Sequence, residues 1–148
     1  MDDHQAGTVI EIPELVVSAM WAHAQTAVPD EACGLLAGRD SAVRMAYCLT
    51  NIAASPSRYT VDPTGHFGAL QHAERNGWDL IGVFHSHPHG PAVPSATDIA
   101  GALEPGWHYL ILGFAGRRRG ELRAYRIREG AAWEEDVVTT NRRFASCS

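Results

Sequence analysis

Asp79-Leu80-Ile81-Gly82-Val83-Phe84-His85-Ser86-His87 runs directly into Pro88-His89-Gly90-Pro91-Ala92-Val93-Pro94-Ser95-Ala96-Thr97-Asp98. Leu80 to Phe84 is apolar without alternation, the pattern of a strand covered on both faces. Three prolines and a glycine between Pro88 and Pro94 end it, so the chain must leave the sheet as a loop. Ser95 to Leu103 then reads as a short helix. A buried strand that ends in two histidines and turns through a loop into a helix start sets the frame for the rest of the chain.

Working outward, Pro63 to Asn76 reads as a helix stopped by Asn76-Gly77. Downstream, Trp107 to Phe114 and Glu121 to Arg128 read as strands joined by a turn at Gly116 to Gly120. Upstream, Pro13 to Ala27 reads as a helix, with Leu15, Val16, Ala19, Met20 and His23 at helical spacing and Pro29-Asp30 as its break. Ala32 to Gly38 and Val43 to Leu49 read as a hairpin around Asp40-Ser41, and Asn51 to Asp62 as a loop. The order is helix, two strands, helix, strand, short helix, two strands. That is an α/β or α+β single domain with a mixed sheet, expected over 1–148 with a core of about 8–138 and a mobile C-terminal tail. The order of the strands in the sheet is not set by these patterns.

With 148 residues, 45% hydrophobic and 20% charged, the chain falls outside the disordered and fibrous classes and can bury a core without staples. A metal in it is then expected to serve chemistry rather than structure. The net charge of −5 argues against nucleic acid as a partner, and Arg117-Arg118-Arg119 is the only dense basic run. That run reads as a solvated hairpin turn; its sharper reading is a docking patch for an acidic carrier protein. All 12 basic side chains are arginine, which removes Schiff-base and P-loop lysine chemistry. The three cysteines, Cys33, Cys48 and Cys147, have no paired spacing. Met1-Asp2-Asp3-His4 begins no signal peptide, and no apolar run reaches the ~18 residues of a membrane span. A cytoplasmic, reducing compartment is expected, without membrane association; oligomeric state has no signal here.

Along a strand, side chains alternate faces, so His85 and His87 point the same way, about 7 Å apart along the chain from its ~3.3 Å rise per residue. Two imidazoles on one face can converge on an ion, and Asp98 at the following helix start can close the triangle and leave a fourth position open, as catalytic zinc requires. Each piece also has an ordinary reading. Eight histidines make a His-x-His pair plausible by chance, and Ser95-Ala96-Thr97-Asp98 is also a variant capping box. His89 reads as loop-exposed. His4, His23, His66, His72 and His108 lack ligand spacing and read as surface or helix-face residues. Cys33 reads as a small buried side chain, Cys147 as a free thiol in the tail, and Ser86 as a buried hydroxyl bonded to backbone. Trp21, Trp78, Trp107 and Trp133 read as core or half-buried.

His85-Ser86-His87-Pro88, six residues, Ser95-x-x-Asp98, with a glutamate far upstream, resembles the JAMM motif, also called MPN-plus or Mov34/PAD-1-like. Pro88 to Thr97 are the ten residues that motif places between its second histidine and its aspartate. The upstream match is Glu31 in Pro29-Asp30-Glu31-Ala32-Cys33-Gly34-Leu35-Leu36-Ala37-Gly38. Asn51-x-Ala53-x-Ser55-Pro56-x-x-Tyr59-x-x-Asp62-Pro63 is similar to a segment of small bacterial members. The resemblance implies a curved mixed sheet flanked by helices (the JAMM/MPN, cytidine-deaminase-like architecture), with zinc at the sheet's edge. It implies one zinc per chain on His85, His87 and Asp98, Glu31 as the acid–base residue, and Ser95 as an oxyanion donor. It implies a metalloprotease that hydrolyses amide or isopeptide bonds. The substrate expected for this branch is a small ubiquitin-like sulfur carrier with a Gly-Gly C-terminus, from which cysteine or a short extension is released, as in cysteine biosynthesis. The competing readings are a non-catalytic MPN-type scaffold, a zinc peptidase acting on an unrelated peptide, and a metal sensor using His85, His87 and His89.

Overall fold

The computed structural model describes residues 8–141. Among these residues seven strands and three helices follow in the order β1 (Val9–Pro13), α1 (Glu14–Ala27), β2 (Cys33–Arg39), β3 (Ala42–Leu49), α2 (Pro63–Arg75), β4 (Asp79–His87), α3 (Ala96–Ala100), β5 (His108–Gly113), β6 (Glu121–Arg128) and β7 (Ala131–Thr140). The mixed sheet expected from the sequence is present, but it curves until it closes: the strand order β1-β3-β2-β4-β5-β6-β7 returns to β1 as a barrel. β4 lies antiparallel to β2 and parallel to β5, so it is an interior strand. Its C-terminal histidines therefore sit at one end of the barrel, not along an edge strand.

Two strands were absent from the sequence reading. β1 occupies the five residues before the first helix, and Pro13 is its last residue and the N-cap of α1. β7 runs parallel to β1 from the far end of the chain, with Val9 opposite Asp136 and Pro13 opposite Thr140. This pairing closes the barrel and no local pattern announces it. The tail beyond residue 141, including Cys147, and the N-terminus with His4 lie outside the described residues. No helix among the described residues is long and apolar enough to cross a membrane.

One face of the sheet packs Leu36, Phe84, Leu110 and Leu112 against α1, whose Val16, Val17, Met20, Trp21 and Ala24 are buried. Each large side chain of that set contributes about 1.5–3 kcal/mol by leaving water. The other face carries Leu35, Val83, Tyr109, Ile111 and Tyr125, with Ala69 of α2 and Tyr59 of the 51–62 loop packed in. β4 thus contributes to both cores, which explains its unbroken apolar run.

His108 departs from the surface role expected of it. It shares the face of Leu110 and Leu112 by strand alternation, is 1% exposed, and its Nδ1 lies 2.5 Å from Glu135 Oε2 on β7. Glu135 Oε1 in turn lies 3.4 Å from Arg126 Nε. A histidine at a strand start gives no hint of a carboxylate partner 27 residues on, so the contact was illegible. His23 and His72 are likewise bonded: His23 Nε2 meets the carbonyls of Cys33 and Leu49, and His72 Nδ1 meets the Tyr47 hydroxyl. Trp21 is buried, and Trp78, Trp107 and Trp133 are half-buried, as expected.

The loop after β4 returns against β5 at Gly113, where an added Cβ would come within 2.3 Å of the Ala92 nitrogen and 2.5 Å of the Pro91 carbonyl carbon. Both obstacles are backbone and cannot swing aside. Gly113→Ala should therefore cost about 1–3 kcal/mol of stability through forced backbone displacement, measured by urea denaturation. Gly68→Ala, with open space around its Cβ and inside α2, should be neutral or stabilising; equal effects of the two would refute this close packing.

Candidate metal centre

Each side chain of the site is delivered by a different local rule. His85 and His87 come from the end of β4, on one face because they are two residues apart. Asp98 comes from α3, where it is the N3 residue of a capping box: Asp98 N donates to Ser95 Oγ (3.0 Å) and Ser95 N donates to Asp98 Oδ2 (2.9 Å). The cap reading and the ligand reading of this segment are thus both realised, because the cap orients the carboxylate. Glu31 precedes β2, and its main-chain N–H donates to the Ser55 carbonyl (2.9 Å). Ser86 faces away from the histidines, accepting from Ala32 N at 2.8 Å through its hydroxyl. That bond fixes the residue next to Glu31 against β4.

These elements bring His85, His87 and Asp98 together so that one donor atom from each lies within 4.8 Å of the others. His85 Nε2 is 3.1 Å from His87 Nε2, His85 Nε2 is 3.2 Å from Asp98 Oδ1, and His87 Nε2 is 3.0 Å from Asp98 Oδ2. A tetrahedral ion with bonds of roughly 2.1 Å holds its ligand atoms roughly 3.4 Å apart, close to this triangle. His87 Nδ1 sits 2.8 Å from the Pro91 carbonyl, a contact that nitrogen can make only as the donor. A neutral His87 must then present its Nε2 lone pair to a second imidazole and a carboxylate. That arrangement is repulsive unless a proton or a metal cation lies between them. The donor set suits a metal ion held by nitrogen and oxygen.

Electrostatics follow the same layout. His85 is 3% exposed; burial lowers its pKa despite the opposing bond to Asp98. For His87 burial also works downward, but the bonds to Asp98 and to the Pro91 carbonyl outweigh it and raise the pKa. Burial alone would raise Asp98, yet the hydrogen bonds from both histidines hold its carboxyl well below the usual range. Glu31 is 3% exposed, and burial carries its pKa up from 4.5 to about 7, with His87 opposing and Asp98 adding. Its Oε1 is buried with no hydrogen-bond partner. A buried, unpartnered carboxyl oxygen with a shifted proton affinity marks Glu31 as a candidate functional residue.

Cys33 is fully buried, and burial followed by the Glu31 charge pushes its thiol up to about 12, which removes it as a nucleophile. His89 is exposed and outside the triangle. Arg117, Arg118 and Arg119 are exposed in the turn between β5 and β6, with Arg119 over the Trp21 ring at 5.8 Å. Tyr59 lies in the segment similar to small bacterial members, but the sequence alone gives it no role. Its ring stacks on His85, with centroids 4.4 Å apart and planes 22° apart. Aromatic residues in a Pro-Ser loop carry no periodic signal, so only the family-like segment could have pointed to it.

Residues 13–128 match the family described as prokaryotic homologs of the JAB domain. The chain is 38% identical over 131 residues to the CysO-cysteine peptidase of Mycobacterium tuberculosis, covering 87% of this chain and 90% of that protein. It is 37% identical over 127 residues to a probable TtuB-protein conjugate cleaving protease of Thermus thermophilus, covering 84% and 80%. A solved structure from Desulfitobacterium hafniense matches with a TM-score of 0.83 at 34% identity, over 91% of this chain and 94% of that one. This chain belongs to the small prokaryotic branch of the JAB, or JAMM, family of hydrolases.

Glu31 supplies a pH test in the chelated, metal-free protein. Its folded pKa is raised, so the neutral carboxyl contributes stability that is fully present below 4.5 and is lost as pH rises through about 7. Glu31→Gln should accordingly be more stable than the parent at pH 8, with the gap closing toward pH 4, as read by thermal melts across that range. A gap independent of pH would mean that Glu31 is not held at a raised pKa.

Proposed function

We propose that the chain is a zinc-dependent amide hydrolase that releases cysteine, or a short C-terminal extension, from the Gly-Gly end of a small ubiquitin-like sulfur-carrier protein. The observation that carries this reading is the pairing of a His85–His87–Asp98 triangle, which needs a cation, with the buried and unpartnered Glu31 Oε1. The substrate class rests on two relatives aligned over 87% and 84% of this chain, one named a CysO-cysteine peptidase and the other a probable TtuB-protein conjugate cleaving protease. A cytoplasmic location is part of the proposal; among the described residues Cys33 and Cys48 form no disulfide.

In this reading His85 Nε2, His87 Nε2 and an Asp98 oxygen hold one zinc ion. Zinc, when bound, supplies the Lewis acidity that makes a water acidic and polarises a carbonyl. Glu31 takes a proton from the attacking water. As the C–N bond breaks, it delivers that proton to the leaving amine nitrogen, so one group serves as base and then acid. A carboxyl with a pKa near 7 is suited to both halves. Ser95 Oγ accepts from Asp98 N and so keeps its own O–H free to donate to the carbonyl oxygen as that oxygen gains charge. His87 is held in the needed tautomer by Pro91, and that bond also stiffens the 88–95 loop.

The test is metal content and cleavage on one purified sample, with a carrier protein bearing cysteine on its Gly-Gly end. The parent should hold about one zinc and release cysteine. Glu31→Gln should keep zinc and lose turnover; His87→Ala should lose both. Ser95→Ala should keep zinc and lose roughly 10²–10³ in kcat. Full activity in Glu31→Gln would overturn the assignment of the base. A folded parent that binds no zinc would overturn the function.

A further inference from the structure

The 51–62 loop has no regular secondary structure beyond a single bridge between Asn51 and Val61, yet one side chain uses its full hydrogen-bonding capacity to shape it. Asn51 Nδ2 donates to the Glu31 carbonyl at 3.0 Å and to the Arg58 carbonyl at 3.1 Å. Its Oδ1 accepts from Ala53 N at 3.0 Å and from Thr60 N at 2.9 Å. Two donors and two acceptor positions are all a carboxamide has. The loop returns the hold, since the Ser55 carbonyl accepts from Glu31 N. Both backbone polar groups of Glu31 are thus fixed by this loop, and Tyr59 in the same loop stacks on His85.

We propose that Asn51 is a positioning residue, whose carboxamide locks the 51–62 loop so that Glu31 is aimed at the metal triangle while Tyr59 braces the His85 ring against it. Asn51 touches neither substrate nor metal; it acts through the Glu31 main chain and through Tyr59. The proposal rests on the reading of Glu31 as the acid–base group. A buried carboxylate whose own Oε1 has no partner cannot orient itself by side-chain bonds at that oxygen, so its aim depends on the backbone behind it. Displacement of a catalytic group by about 1 Å costs on the order of 10²-fold in rate.

Asn51→Asp separates this role from general loop stability. The new carboxylate still accepts from Ala53 N and Thr60 N, but it loses both donors and sets an anion against the Glu31 carbonyl. Assayed as the zinc-loaded protein on the carrier substrate, Asn51→Asp should lose about 100-fold in kcat with KM within about threefold of the parent. Zinc should remain at one per chain. Unchanged kcat per folded, zinc-bound molecule overturns the proposal. If Asn51→Asp fails to fold, zinc affinity measured by chelator competition decides from the other end of the loop. Tyr59→Leu should bind zinc about tenfold more weakly and Tyr59→Phe, which keeps the stack, should bind it as the parent does; equal affinities in the two overturn the proposal. Glu31→Gln assayed alongside tells the two failures apart. An inactive Glu31→Gln with a fully active Asn51→Asp sinks only the positioning role, whereas an active Glu31→Gln sinks the reading beneath it.

Discussion

Two imidazole nitrogens 3.1 Å apart, both facing one carboxylate, are a demand for positive charge. The protein creates that demand with main-chain geometry. His87 has its Nδ1 committed to the Pro91 carbonyl, and the 88–95 loop that supplies this carbonyl is pressed against Gly113 and bonded to Tyr125 through the Ala92 carbonyl at 2.6 Å. Asp98 is fixed by the cap it forms with Ser95. Neither His87 nor Asp98 can rotate out of the triangle without breaking a second bond, and His85 is held under the Tyr59 ring. The site is therefore preorganised for a cation before one arrives, and the cost of assembling it is met by folding of the barrel.

The barrel makes this possible because β4 is interior. A strand between β2 and β5 has both backbone edges satisfied, so its C-terminal residues are held rigidly while its last side chains emerge at the barrel end. Ser86, between the two ligands, points the other way and ties β4 to Ala32, next to Glu31. One residue alternation therefore does two things: it turns two histidines toward Asp98 and one hydroxyl toward the segment carrying Glu31. A shift of one residue in the register of β4 would exchange these roles and destroy the site.

What the sequence disclosed and what it hid divide along the same line. β4, the β2–β3 hairpin, α2 and the cap of α3 were legible because each depends on neighbours in the chain: an apolar run, a turn, a Pro-to-Asn-Gly helix frame, a Ser-x-x-Asp box. The cluster was legible because His85, His87 and Asp98 lie within one short segment. β1 and β7 were not, because Val9–Pro13 is short and runs straight into a helix, and Ala131–Thr140 carries Glu134-Glu135-Asp136 across its middle. Their pairing joins residues more than 120 positions apart. The inward turn of Glu135 toward His108 was hidden for the same reason, since a carboxylate on a strand reads as solvent-facing until its partner strand is known.

Glu31 is the case between these two. Locally it is an acidic residue before a strand, and nothing in its immediate sequence distinguishes it from a solvated turn residue; only the long motif singled it out. Its setting is non-local: Ser55 and Asn51 of the 51–62 loop take its main-chain groups, and Tyr59 of the same loop stacks on His85. A carboxylate left exposed to water would keep an ordinary pKa and be a poor acid at neutral pH. Buried, it is carried to about 7, which suits the proposed role of accepting and returning a proton. The irregular loop, the part of the chain with the weakest structural signal, thus holds the main chain of the group proposed as the acid–base residue. The end of β4 and the cap of α3 set the candidate metal triangle.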